Sequence, residues 1–297
     1  MLGEHKSSVR FSDEQHNCCP NYWHFSPYGF CPYGCAYCYL AGTRGVWFSP
    51  TVKVFLNLDE TLAQIDRIAR QAQRPTVFYL GKLQDGLALD PLTGFSRRIV
   101  PFFAGHPYAR LILLTKSADV ENLLPLPHGG NVVLSWSLAS EGLWKHFEPG
   151  TPSPAERLAA MRRCARAGYR IRAVIMPILP VGDWADGYFA LIEELLSTVP
   201  IERITMGSLC SFDTALRLAA ARLGEGNPLT DLFRSAEKCP DGRRRFPRAR
   251  REETYRFLLS QIRSRRPDLS PGLCLEDRDT FADLALLDSV GKCNCVL

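Results

Sequence analysis

Residues 132–177 read VVLSWSLASEGLWKHFEPGTPSPAERLAAMRRCARAGYRIRAVIMP. Val132–Leu138 is a short, nearly unbroken β-rich run. Ser153-Pro154-Ala155-Glu156 carries three signals of a helix start: a capping Ser, Pro in the first turn and Glu at the capping-box position. That helix should run to about Ala167, with Gly168 as its terminator. A second β-rich run, Ile171–Pro177, follows at once. Strand, helix and strand in that order, with apolar strands, describe a buried parallel pair. Similar runs occur at Thr76–Lys82, Leu111–Lys116 and Arg203–Ser208, with Asn21–Pro27 as an earlier candidate. Leu62, Ile65 and Ala69 share one face of a helix after Asn57, and Tyr188, Leu191, Ile192 and Leu195 share another. These stripes read as core packing. Six strands with intervening helices predict an α/β fold, an incomplete βα barrel. An open doubly wound sheet has the same periodicity. Either fold puts reactive groups at the C-terminal ends of the strands.

Composition narrows the class. Hydrophobic residues make up 46% and charged residues 23% of the 297, an ordinary globular balance. No apolar run reaches the roughly 18 residues needed to span a bilayer. The opening MLGEHKSSVRFSDEQ lacks the apolar stretch of a signal peptide. The expectation is a soluble cytoplasmic monomer with no membrane partner. An odd count of 11 cysteines makes a poor disulfide framework and points to metal ligation or catalysis. Near Cys239 the composition turns polar and arginine-rich. The chain therefore reads as an N-terminal arm (1–20), a barrel core (21–238) and a basic C-terminal region (239–297). Arg243, Arg244, Arg245, Arg248, Arg250 and Arg251 form a run suited to the phosphates of a nucleic acid or nucleotide. The alternative is a solvated segment, with Glu252 and Glu253 offsetting part of the charge.

The densest chemical signal is Phe30-Cys31-Pro32-Tyr33-Gly34-Cys35-Ala36-Tyr37-Cys38-Tyr39. Three soft thiolates at this spacing can wrap one face of an iron–sulfur cluster. Pro32 and Gly34 favour a loop in which the sulfurs converge. The segment holds no fourth Cys, so one iron would stay open. The competing reading is a zinc loop completed by Cys18, Cys19 or His24. In that case the chain would be a non-catalytic zinc or nucleic-acid-binding module.

CxxxCxxC with an aromatic before the last Cys resembles the signature of the radical S-adenosylmethionine superfamily. CAYCYL, VKVFLNLDETLAQ, FYLGKLQDGLALDPLTG, LLTKS, SWSLASEGLWKHFEPGTPSPAERLAAMRRCARAGY and MPILPVGDWADGY resemble, in order and spacing, the spore photoproduct lyase family. The resemblance covers roughly residues 20 to 220. It implies a partial (β/α)6 barrel of the radical S-adenosylmethionine type with a C-terminal extension. It implies a 4Fe-4S cluster on Cys31, Cys35 and Cys38 whose open iron binds the methionine moiety of S-adenosylmethionine. Reductive cleavage would then give a 5′-deoxyadenosyl radical that abstracts hydrogen. An external electron donor such as flavodoxin or ferredoxin follows, as does a nucleic-acid base or nucleotide as substrate. A small metabolite or peptide is the alternative substrate. By position, Tyr37 and Tyr39 would flank the cosubstrate and Lys116 would pair with its carboxylate. Ser137 would approach the ribose, Met176 would line the adenine site, and Asp85 matches a family Asp. Lys82 stands where the family places a hydrogen-donating Cys, and a protonated amine is a poor hydrogen-atom donor beside a thiol.

The chain ends Lys292-Cys293-Asn294-Cys295-Val296-Leu297. Cys293 and Cys295 fit three readings. They supply the missing hydrogen donor or a redox pair; they ligate a second metal or cluster with Cys18, Cys19 or Cys274; or they belong to an inert tail. Cys164 and Cys210 read as buried, small apolar residues.

Overall fold

Alternating apolar and small polar residues give each central strand two usable faces, and the fold uses both. The computed structural model describes residues 1–42, 51–224, 226–269 and 271–297. Its main sheet contains β1 (Val9–Ser12), β2 (Tyr22–Phe25), β3 (Thr76–Leu80), β4 (Ala109–Thr115), β5 (Val132–Leu138), β6 (Arg170–Ile178), β7 (Ile201–Ser208) and β8 (Gly272–Leu273). Spatial order follows chain order from β1 to β8. Strands β2 to β8 are parallel, and only β1 runs antiparallel, against β2. A doubly wound sheet reverses its strand order at a switch point. No reversal occurs here, so the sheet winds one way and curls into a half-barrel.

The sequence placed β2 to β7 closely, and Val132–Leu138 matches residue for residue. Helix α1 (Leu58–Ala72) follows β2, α2 (Ser96–Gly105) follows β3, α3 (Pro154–Arg166) follows β5 and α4 (Trp184–Thr198) follows β6. The expected capping box of α3 is present: Ser153 accepts from the Glu156 amide and Glu156 accepts from the Ser153 amide. Leu62, Ile65 and Ala69 of α1 are buried, as are Tyr188, Leu191, Ile192 and Leu195 of α4. The two edge strands come from the flanks: β1 from the N-terminal arm and β8 from the C-terminal region.

Parity along the strands separates two cores. Phe78, Leu80, Leu111, Leu113, Leu134, Trp136, Ile171, Ala173, Ile204 and Met206 belong to the large cluster shared with the helices. The residues between them on the opposite face, Tyr79, Ile112, Leu114 and Val133, form a second cluster with Tyr22, Cys295 and Val296. Thus the chain's last residues lie against the inner face of the half-barrel and are not an inert tail. Arg172 donates to the Val296 carbonyl at 2.5 Å, and Arg203 donates to the Cys293 carbonyl at 2.9 Å. Ser135 donates to Asn294 Oδ1 at 2.6 Å. The polar residues on that face are the anchors of the tail.

The C-terminal arginines, read as a phosphate-binding run or as a solvated segment offset by Glu252 and Glu253, are all paired with carboxylates. Arg243 binds Glu14 and Asp241, Arg244 binds Asp213, and Arg245 binds Asp241. Arg248 binds Glu252 and Asp283, Arg250 binds Glu253, and the buried Arg251 binds Glu276. Each guanidinium is met by a carboxylate; Arg243 reaches the N-terminal arm and Arg244 the barrel, while the other pairs brace the C-terminal region itself. Helix α5 (Arg248–Arg265) carries three of them. Among the described residues, no helix is long and apolar enough to cross a membrane.

Gly272 fixes how closely the tail can approach β8. A Cβ there would lie 2.1 Å from the Lys292 carbonyl oxygen. Gly272→Ala should therefore lower stability by about 1–3 kcal/mol through overpacking. The expected reading is a lower urea midpoint at unchanged slope. An unchanged midpoint would show that the tail does not pack on β8.

Candidate functional site

The strand ends of the half-barrel converge on one cavity of about 210 Å³. Cys31, Cys35 and Cys38 line it together with Tyr37, Tyr39, Lys82, Gln84, Asp85, Lys116, Ser137 and Met176. Residues named from five separate segments of sequence thus meet in one place. Local backbone makes the loop of cysteines possible. Phe30 and Gly34 both take positive φ, 67° and 64°, which turns the chain sharply just before Cys31 and again just before Cys35. The Ala36 amide donates to the Phe147 carbonyl at 2.8 Å. Opposite the loop, Gly150 leaves room for the Tyr33 carbonyl, which a Cβ would meet at 2.4 Å. Cys35 is buried, while Cys31 and Cys38 are half-buried. Burial pushes the Cys31 and Cys35 thiols up to about 12.

Lys116 reaches into the cavity from the end of β4. Its Nζ donates to Ser137 Oγ at 2.7 Å and to Glu148 Oε1 at 3.0 Å. Glu148 is fully buried and was not marked by any sequence pattern. Its second oxygen, Oε2, accepts from Arg157 Nη2 at 2.5 Å, and the Tyr37 hydroxyl donates to Oε1 beside Lys116. Burial would raise the Glu148 pKa, but the charges of Lys116 and Arg157 and the Tyr37 bond outweigh it, holding the group at about 2. The only foreshadowing of Arg157 was its place in the first turns of α3.

Asp85 is a positioning residue in this arrangement. Its Oδ1 accepts from Thr115 Oγ1 and from the Leu87 and Ala88 amides, and Oδ2 accepts from the Lys116 amide. It thereby ties the loop after β3 to the end of β4. Beside it, Gln84 donates through Nε2 to the Phe25 carbonyl at 3.2 Å, while its buried Oε1 has no partner. Such an orphaned acceptor on a cavity wall suits an N–H donor of a bound ligand.

Lys82 sits at the cavity edge but is held by neighbours. Its Nζ donates to Glu14 Oε1 at 2.7 Å and to Ser12, and it lies 5.1 Å from the Tyr22 ring centroid. Its carbonyl accepts from the Tyr39 hydroxyl at 2.7 Å. Cys210, read from sequence as small core filler, is buried but also lines the cavity. Cys164 is core filler, as expected. Cys295 packs on the inner face of the sheet, and both it and Cys293 lie outside the residues that line the cavity.

The spore photoproduct lyase family model matches residues 27–211. The chain belongs to the spore photoproduct lyase family. This is a family of radical S-adenosylmethionine enzymes. Spore photoproduct lyases of Geobacillus sp. (strain Y412MC61) and Bacillus subtilis (strain 168) are 37% and 31% identical to it over 162 and 167 residues. Those matches cover 54% and 56% of this chain and 47% and 48% of the relatives, so the chain spans about half the length of the curated relatives it matches. The solved spore photoproduct lyase complexed with dinucleoside spore photoproduct superposes with a TM-score of 0.80 at 26% identity, covering 92% of this chain and 82% of that one. A double mutant of spore photoproduct lyase with bound AdoMet and dinucleoside spore photoproduct gives 0.79 at 26% identity, covering 91% and 80%. The likeness agrees with the half-barrel seen here.

The donors present suit a cluster better than a single ion. Among the described residues, no three His, Cys, Asp or Glu side chains are grouped to hold one metal ion. Cysteines of a cuboidal cluster each bind a different iron and need not meet at one point.

Glu148→Gln would leave Lys116 and Arg157 without their counter-charge. It should cost about 3–5 kcal/mol of stability near neutral pH, read from urea unfolding. Because the folded pKa of about 2 lies below the ordinary 4.5, the charge contributes stability above 4.5 and loses it as pH falls toward 2. The gap between wild type and variant should close across that window. A constant gap would refute the assignment.

Proposed function

We propose that this chain is a radical S-adenosylmethionine enzyme in which Cys31, Cys35 and Cys38 hold a 4Fe-4S cluster and the adjoining cavity takes S-adenosylmethionine. The observation that carries this reading is the convergence of the three thiols, the Lys116 ammonium and the orphaned Gln84 acceptor on one cavity. When bound, the cluster supplies the electron that cleaves S-adenosylmethionine to the 5′-deoxyadenosyl radical, which takes hydrogen from the substrate. Lys116 orients the methionine carboxylate, and Glu148 fixes Lys116 in place. Gln84 accepts from the cosubstrate's nitrogen. Ser137 and Met176 face the ribose and adenine, and Tyr37 and Tyr39 close the side nearest the cluster. Asp85 holds the two loops that present these groups.

The substrate in this reading is a thymine-derived lesion or a related nucleic-acid base or nucleotide. The complexes of solved relatives with dinucleoside spore photoproduct support it. An external one-electron donor of the flavodoxin or ferredoxin class completes the reaction. Lys82 gives no thiol at the place where the family donates hydrogen, and its ion pair with Glu14 keeps it out of the chemistry.

Anaerobically prepared protein should be brown, carry about four irons per chain, and form 5′-deoxyadenosine when reduced with S-adenosylmethionine. Replacing Cys31, Cys35 and Cys38 together by Ala should remove the colour, the iron and the deoxyadenosine. Deoxyadenosine formation by that variant, or zinc in place of iron in the wild type, would overturn the proposal.

A further inference from the structure

Behind the cavity the fold gathers four further cysteines that the proposed reaction does not use. Cys295 packs on the inner face of the half-barrel and Cys293 is buried next to it in sequence, with Cys19 and Cys274 close enough to interact with both. Cys274 in turn abuts the region of Met176: a Cβ placed on Gly207 would meet Met176 Sδ at 2.7 Å and Cys274 Cβ at 3.3 Å.

We propose that Cys293 and Cys295 are a reversible dithiol–disulfide couple, a second reactive site whose partners are small disulfides and thiols. Cα atoms two residues apart span at most roughly 7 Å, and disulfides bridge Cα separations of about 4.4–6.8 Å. The chain turns at Asn294 and Cys295, which shortens the span. The two cysteines stand on this turn with one residue between them, Cys293 buried and Cys295 partly so. Their backbone is pinned from four strands. Arg203 donates to the Cys293 and Val296 carbonyls at 2.9 and 3.0 Å, and Arg172 donates to Val296. Asn294 accepts from Ser135 and donates to the Tyr79 hydroxyl at 3.4 Å. Such anchoring keeps both sulfurs together and spares them the mobility of a free terminus.

The charges around the pair suit thiol exchange. The neighbouring Cys295 lowers the Cys293 pKa, with Arg203 and Arg172 adding to it against burial. Cys295 is pushed up, so Cys293 is the sulfur that gives up its proton first. The thiolate attacks one sulfur of an incoming disulfide R–S–S–R, forming a mixed disulfide and expelling R–S⁻. That anion takes the proton of the second thiol, which then attacks the mixed disulfide, closes the Cys293–Cys295 bond and expels a second R–S⁻, protonated from water. The chain loses two hydrogens and the small disulfide becomes two thiols.

The couple is independent of the cluster chemistry, and its test is too. The full-length chain is held anaerobically with oxidised glutathione, quenched in acid, alkylated and mapped by peptide mass. A bridged Cys293–Cys295 peptide that dithiothreitol reverts is expected. Cys293→Ser and Cys295→Ser should each lose it, while Cys19→Ser and Cys274→Ser should keep it. No bridge in the wild-type chain, or a bridge from Cys293 or Cys295 to Cys19 or Cys274 instead, overturns the proposal whatever the variants do.

Discussion

One buried carboxylate holds the mouth of the half-barrel together. Glu148 joins Tyr37 of the cysteine loop, Lys116 at the end of β4 and Arg157 of α3. Arg157 also donates to the Ser137 carbonyl at 2.9 Å and so reaches β5. Four parts of the chain that share no local geometry are fixed through one side chain. A single buried anion between two cations is tolerable only because every charge is met. The consequence for the site is direct: the Lys116 ammonium is delivered at a set depth beside Cys35 and Ser137.

A second constraint works from below. A half-barrel leaves its inner face open, and inward polar groups such as Arg172 and Ser135 would be costly there without partners. The C-terminal residues fill that face, and their carbonyls and Asn294 satisfy those groups. The arginine-rich stretch then serves the same end. It ties the C-terminal region to Glu14 and Asp213, and Arg251 with Glu276 braces that region internally. Glu14 links this system to the cavity, because it also holds Lys82. Burial alone would raise the Glu14 pKa, but Lys82 and Arg243 reverse the direction.

Local pattern was enough wherever the deciding interactions were short in sequence. The run of apolar strands and the Ser153 capping box determined the α/β alternation and the crossover helices. The spacing of Cys31, Cys35 and Cys38, with Gly34 between them, determined a loop of converging thiols. Charge counting alone left open what meets Arg243 to Arg251, because a guanidinium looks the same in sequence whether solvent or a carboxylate meets it.

Only tertiary structure decided the rest. Glu148 finds its partners 9, 32 and 111 residues away, so no periodicity could mark it. The choice between half-barrel and doubly wound sheet rests on strand order, which periodicity does not encode. The fate of Cys293 and Cys295 rests on an inner face assembled from β2 to β7. By itself the sequence determined which chemistry is available, because side-chain type and near spacing set it. The fold decided which groups meet, because burial forces distant charges and thiols to find partners.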